Sequence, residues 1–162
     1  KTQRKYSIDF TIYYPETNAL EEMVKAKGIN LFYESVENRK TCCGVRKVEP
    51  LKRALSQVDA WMTGLRRSQS ITRSQAKAFE WDEANQKIKV NPLVDWSLDE
   101  LHDYIQENNV DVNPLHEKGF PSIGCAPCTR AIKPGEDVRS GRWWWETPAS
   151  KECGLHNNPN RK

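Results

Sequence analysis

The sequence predicts an α/β protein, on three observations. Ile8, Phe10 and Ile12 alternate with Asp9 and Thr11 before Pro15, the period-two pattern of a strand with one buried face, and a helical pattern follows it directly. The run Val58 to Thr63 reads as a second strand, buried in the manner of parallel sheets and ending at Gly64. Ser97 to Asn108 carries a complete set of helix signals. Strand followed by helix is one half of a βαβ unit, and the loop after a buried parallel strand is where such folds place ligands.

Along the chain, Asn18-Ala19-Leu20-Glu21 has the form of a capping box, Leu20, Met23 and Val24 have helical spacing, and Gly28 is placed to end the helix. From Leu31 to Leu55 apolar residues and cations recur at mixed spacing around Cys42-Cys43, which predicts short helices interrupted near Thr41 and Pro50. Phe79 and Trp81 on one arm, with Ile88 and Val90 on the other and a polar turn between, predict a hairpin. In the helix Ser97 to Asn108, Ser97 and Glu100 form a capping box and Trp96 and Leu101 a hydrophobic staple. Leu98, Leu101, Tyr104 and Ile105 make its apolar stripe, and its role is that of scaffold. Beyond Asn109, Pro114, Gly119, Pro121, Gly124, Pro127, Pro134, Gly135 and Gly141 exclude long regular elements, so this region needs something to hold it.

A chain of 162 residues is long enough for one hydrophobic core and short for two domains, so residues 1–162 are expected to form a single domain. Charged residues make up 29% and the mean hydropathy is −0.81, yet six Trp, five Tyr and four Phe supply the burial a folded protein needs. The net charge of +3, from 25 Lys and Arg against 22 Asp and Glu, falls far short of the basic footprint of a duplex-binding protein. No run of about 18 apolar residues occurs, and the first residues lack the apolar core of a signal peptide. The expectation is a soluble cytoplasmic protein with neither membrane nor nucleic acid as partner. The chain begins at Lys1 rather than Met, which leads us to expect part of a longer protein.

Five cysteines in a reducing compartment argue against a disulfide framework. Cys125-Ala-Pro-Cys128 alone is consistent with a redox pair, half a zinc site, half a cluster site or chance. The vicinal Cys42-Cys43 shifts the balance, because zinc sites are built from spaced knuckles that wrap one ion, whereas a cubane offers separate iron vertices to neighbouring thiolates. Iron–sulfur is therefore favoured over zinc, with both left open. Arg46, Lys47 and Arg130 are placed to offset the negative charge of such a site, or are simply solvated. Cys153 stands apart in a polar segment near Lys151 and His156, either a thiol activated by positive charge or an incidental surface cysteine.

Arg139 and Arg142 lie three apart in a Gly-flanked loop, a spacing that suits clamping of a phosphate or sulfate; the following Trp143 to Trp145 read as a core anchor. Thr63, Gly64, Arg66, Arg67 and Arg73 follow the second strand, where a bare glycine admits a ligand to the backbone and arginines suit an anion. No Walker motif or G-x-G-x-x-G occurs, so an anion site here is assembled from separated segments.

Together "TCCGVRKVEPLKRAL", "WMTGLRRSQSITRSQ", "IGCAPCTRAIKPGEDVRSGRWWWE" and "KECGLH", in this order, resemble the assimilatory adenylyl-sulfate reductases, relatives of the phosphoadenylyl-sulfate reductases. The resemblance implies a Rossmann-like fold of the adenine-nucleotide alpha-hydrolase-like group and a [4Fe-4S] cluster on Cys42, Cys43, Cys125 and Cys128. It implies that Cys153 is the nucleophile, on a mobile tail at 150–162, attacking adenosine 5′-phosphosulfate to release AMP and leave an S-sulfocysteine from which thioredoxin or a similar dithiol releases sulfite. Carried over by position, Lys47 lies between cluster and substrate, and Arg73, Arg139 and Arg142 bind the phosphosulfate. Gly64 faces the nucleotide and His156 sits beside the substrate. The full cysteine set favours the substrate without a 3′-phosphate, with phosphoadenylyl-sulfate reduction as the alternative. Homo-oligomerisation is left open. The family's Ser-Gly-Gly loop has no equivalent in this sequence, so the chain is expected to be the C-terminal two-thirds of such an enzyme, its fold incomplete at the N-terminus and its activity partial. A zinc-stabilised nucleic-acid-binding module and a PP-loop-type ATPase or thiolation relative are the readings from other classes.

Overall fold

The computed structural model describes residues 1–70, 73–147 and 151. These form two compact units, one built on Lys1–Trp61 and Asp82–Lys87, the other on Met62–Trp81 and the residues from Ile88 onward. Among the described residues no helix is long and apolar enough to cross a membrane.

The first unit is helical. Helix α1 (Thr2–Tyr6) ends at Ser7, which takes a left-handed conformation with φ 52°. The strand expected at Ile8 to Ile12 is not formed: the segment is irregular, and Ile8, Phe10 and Ile12 are 45%, 55% and 70% exposed. Alternation becomes a strand only where a neighbour takes up its hydrogen bonds, and among the described residues no strand pairs with this one.

Helix α2 (Thr17–Lys27) starts after Glu16 with no side-chain cap and ends at Gly28, whose φ of 77° suits a residue without a Cβ. The Asn18–Glu21 capping box is thus not what starts the helix. Arg53 instead secures the approach, pairing with Glu16 at 3.5 Å and donating to the Tyr14 carbonyl.

Helix α3 (Val36–Cys43) is capped by the Ser35 hydroxyl, which accepts the Asn38 N–H at 3.0 Å. It runs into a π turn, Gly44–Val48, and then into α4 (Glu49–Leu55) with helical dihedrals at both junctions. The interruption expected near Thr41 therefore falls at 44–48. Thr41 continues the helix and donates its hydroxyl to the Glu37 carbonyl at 2.9 Å. Pro50 lacks an N–H and its ring crowds the carbonyl four residues back, a conflict that the widened turn just before it absorbs.

A small sheet of order β1-β3-β2 is formed by β1 (Ala60–Met62), β2 (Phe79–Asp82) and β3 (Lys87–Val90). The hairpin is as expected, and most of its apolar side chains lie outward. Phe79, Trp81 and Ile88 are 69%, 48% and 48% exposed, while buried Lys89 pairs with half-buried Glu80 at 3.2 Å. The strand expected over Val58 to Thr63 is shorter and not buried, with Met62 71% exposed. Polar partners between the strands, described below, fix which face turns inward.

Helix α5 (Leu98–Glu107) follows its signals closely. Ser97 accepts the Glu100 N–H at 3.1 Å, and the Glu100 carboxylate accepts the Ser97 N–H at 2.7 Å. That bond to the Ser97 backbone, with a smaller part from its side chain, lowers the Glu100 pKa. Trp96 meets the edge of Tyr104 at 5.3 Å, and no residue of α5 is fully buried, in keeping with a surface scaffold. Ser97→Ala is expected to lower stability by about 1 kcal/mol, measured as a shift in the urea midpoint at unchanged slope.

Candidate functional site

Cys42 and Cys43 occupy the last turn of α3 at its junction with the π turn, each 9% exposed. Neighbours on a helix point about 100° apart, so the two thiols suit two separate centres better than one ion. One turn earlier Arg39 is 1% exposed, and residues three and four apart share a helix face, which sets a buried guanidinium on the cysteine side. Arg46 and Lys47 lie in the π turn, half-buried.

Cys125 and Cys128 bracket a 3₁₀ turn, Ala126–Cys128, closed by the Cys128 N–H on the Cys125 carbonyl at 2.9 Å. The Thr129 hydroxyl donates to that same carbonyl at 3.0 Å and accepts the Gly124 N–H at 3.1 Å. Thr129 also pairs with Arg142 as an antiparallel bridge, and the Trp143 N–H donates to the Cys128 carbonyl at 3.1 Å. Trp143 is 1% exposed and holds φ at 40°, a conformation that its buried ring sustains. The Arg142 guanidinium lies 4.5 Å from the centre of that ring and donates to the Ile123 carbonyl at 3.0 Å. A Cβ on residue 124 would come within 2.4 Å of the guanidinium, and one on residue 141 within 2.4 Å of the Arg130 carbonyl. Both positions are glycine because the chain packs that closely there.

The next turn is fastened by Glu136, whose carboxylate takes two bonds from Arg130, both 2.9 Å, and one from the Lys133 N–H at 2.8 Å. The Arg130 bond, then the Lys133 N–H, pulls the Glu136 pKa down to about 2.

The four cysteines are thiols rather than disulfides; Cys42, Cys43 and Cys128 are buried and Cys125 is half-buried. Each pair belongs to one of the two units. Among the described residues no three His, Cys, Asp or Glu side chains are grouped about a metal position. Each pair taken by itself, shaped by backbone bonds, offers the kind of sulfur donors that iron or zinc takes as thiolates.

On the anion side, Gly64 has nothing within 4 Å of the place a Cβ would fill, so the backbone is open to approach there. Arg67 is committed to the loop, donating to the Ala76 carbonyl at 2.7 Å and pairing with Asp95, while the Arg73 guanidinium bonds Gln69. Arg139 donates to the Lys151 carbonyl at 2.9 Å, and the Lys151 ammonium reaches the Ser140 carbonyl at 3.4 Å. Cys153 and His156 lie outside the described residues, as does the expected tail at 150–162 apart from Lys151. Of the tryptophan run only Trp143 anchors the core; Trp144 is 40% exposed and meets Trp145 edge-on.

Sequence reasoning missed Arg39, Asn91, Thr129 and Glu136. Asn91 was detectable, since it follows Lys89 by two residues and so lies on the same inward face. Thr129 and Glu136 act through turns whose partners are far from obvious in a linear string.

Fold and site define an α/β protein with paired thiols and arginine-bearing loops. Residues 1–131 match the family described as the phosphoadenosine phosphosulfate reductase domain, and the chain belongs to that family. It is 55% identical over 154 residues to a protein of Allochromatium vinosum named adenosine 5′-phosphosulfate reductase, covering 95% of this chain and 60% of that one. Proteins of the same name from Rhizobium tropici and Burkholderia cepacia are each 53% identical over 156 residues, 96% of this chain and respectively 87% and 62% of theirs. A solved structure of phosphoadenylyl-sulfate reductase from Candida auris, a phosphate complex, is similar with a TM-score of 0.61 at 33% identity, over 76% of this chain and 58% of that one. The chain thus spans 60% of the length of the Allochromatium relative. The Rossmann-like expectation agrees with the family and with the Candida structure.

The Glu136 clamp has a definite pH signature. Its folded pKa lies below that of an unfolded glutamate, about 4.3, so its contribution is complete above that value and is lost as pH falls toward about 2. Glu136→Gln is expected to flatten the acid limb of stability between roughly pH 4.5 and 2, measured by denaturant midpoints across that range.

Proposed function

We propose that this chain serves the assimilatory reduction of adenosine 5′-phosphosulfate to sulfite and AMP, as an oxidoreductase of the thioredoxin-dependent type. The observation that carries the reading is the presence of two thiol pairs, three of the four thiols buried and each pair preset by backbone bonds, within a phosphoadenosine phosphosulfate reductase domain. Relatives sharing half the residues bear the corresponding name. The complete cysteine set favours the substrate that lacks a 3′-phosphate.

In this reading Cys42, Cys43, Cys125 and Cys128 hold a [4Fe-4S] cluster. When bound, the cluster supplies iron–thiolate bonds that fasten the two cysteine segments, and Arg46, Lys47 and Arg130 offset its negative charge. Gly64 admits the nucleotide to the backbone, and Lys47, Arg73, Arg139 and Arg142 face the anionic phosphosulfate with His156 beside it. Cys153 attacks as the thiolate. A sulfur–sulfur bond forms, the sulfur–oxygen bond to the phosphate breaks, and the electron pair leaves on AMP, whose developing charge the arginines stabilise. A dithiol then attacks Cys153 Sγ and sulfite departs with the bonding pair; the second thiol closes a disulfide and supplies the two electrons overall. Arg139 supports the assignment of the tail, because it already holds the carbonyl of Lys151, two residues before the nucleophile.

Anaerobic isolation is expected to give about four irons and four sulfides per chain, with a broad visible absorbance; stoichiometric zinc without iron would overturn the reading. Cys153→Ser should abolish sulfite formation by the active enzyme while leaving its iron intact, and Cys128→Ser should lose iron first. Normal turnover in the first variant excludes the nucleophile, and full iron in the second excludes the ligand.

A further inference from the structure

We infer that Asn91 is a positioning residue for the nucleotide, acting through the Thr63-Gly64-Leu65 turn. Asn91 is fully buried, at 0% exposure, on the inward face of the sheet. Its side chain is completely satisfied within the second unit. Oδ1 accepts the Thr63 hydroxyl at 2.5 Å, and Nδ2 donates to the Lys77 carbonyl at 2.8 Å and to Glu80 Oε1 at 2.9 Å. The same Glu80 oxygen pairs with buried Lys89 at 3.2 Å. Because Thr63 gives its proton to Asn91, its lone pair is left for the Leu65 N–H, which it accepts at 3.3 Å. The Thr63 N–H meanwhile donates to the Val90 carbonyl at 2.9 Å. Thr63 and Leu65 are therefore both held, and Gly64 between them presents open backbone.

The chain of bonds runs in one direction only. Lys89 fixes the Glu80 carboxylate, the carboxylate demands a donor, and only the amide end of Asn91 can supply it, which turns the carbonyl end toward Thr63. An aspartate in place of Asn91 keeps the acceptor for Thr63 but sets a second carboxylate oxygen against Glu80 and the Lys77 carbonyl. The turn then loses its anchor with almost no change in side-chain volume. This inference rests on the reading that Gly64 faces the nucleotide.

The test measures AMP binding by calorimetry to the native chain and to Gly64→Val, Asn91→Asp and the double variant Asn91→Asp with Glu80→Gln. The double variant exchanges amide and carboxylate between the two positions, so that the introduced amide donates to the introduced carboxylate and Lys89 keeps a negative partner nearby. Asn91→Asp should weaken AMP at least tenfold with its far-ultraviolet spectrum unchanged, and Glu80→Gln in the same chain should recover most of the loss. If Gly64→Val weakens AMP while Asn91→Asp does not, the inference falls and the reading of the loop stands. If AMP binds and Gly64→Val has no effect, or if the native chain binds no AMP, the reading of the loop falls and the inference with it. Loss of binding in Asn91→Asp that the second substitution does not restore assigns Asn91 a merely structural part and overturns the proposal.

Discussion

The second unit depends on the close approach of two loop segments, 123–130 and 141–143, which contain no helix beyond a single 3₁₀ turn. Loops cannot satisfy buried backbone groups through regular ladders, so each such group needs its own partner. Thr129 and Arg142 supply them, one hydroxyl serving two backbone groups and one guanidinium lying against Gly124 while it holds the Ile123 carbonyl. The burial of Trp143 seals the contact from below. Without the glycines at 124 and 141 the segments would stand apart, and the Cys125–Cys128 turn would have no fixed outline.

The two cysteine pairs reach rigidity by opposite means. Cys42 and Cys43 borrow the stiffness of a helix and are individually placed by its geometry. Cys125 and Cys128 sit in a turn that is stiff only because its neighbours are stapled to it. A cation accompanies each, Arg39 on the helix and Arg142 in the loop, both more than nine-tenths buried. Buried guanidiniums are costly to desolvate unless matched by acceptors, and Arg142 finds its match in the Ile123 carbonyl and the face of Trp143.

Much of this was legible in the string of residues, and the exceptions have physical causes. The capping box at Ser97 and Glu100 uses local bonds alone, and local signals survive whatever surrounds them. The hairpin at Phe79–Val90 was legible as a pair of strands but not in its orientation, because the inward face is chosen by Glu80, Lys89 and Asn91 acting across the sheet. The Ile8–Ile12 alternation misled for a related reason, since a strand is a property of a pair and a single sequence segment shows only one member. At the site, the cysteines and arginines announced themselves by type and spacing. Thr129, Glu136 and Asn91 did not, because common polar residues gain their importance only from the partners that folding brings to them.

The π turn at Gly44–Val48 has a consequence for how this segment tolerates change in length. A loop absorbs an inserted or deleted residue by adjusting its path, but a continuous helical rod has no slack. Here the wide turn is the one reserve: removing one residue between Cys43 and Pro50 would let it close to an ordinary turn, and because a wide turn holds about one residue more than an α turn, the helix before it would keep nearly its present direction relative to α4. A second removal would find no such reserve and would rotate Arg39, Cys42 and Cys43 by about 100° relative to α4. The count of residues in this stretch is thus as much a part of the cysteine site as the cysteines themselves.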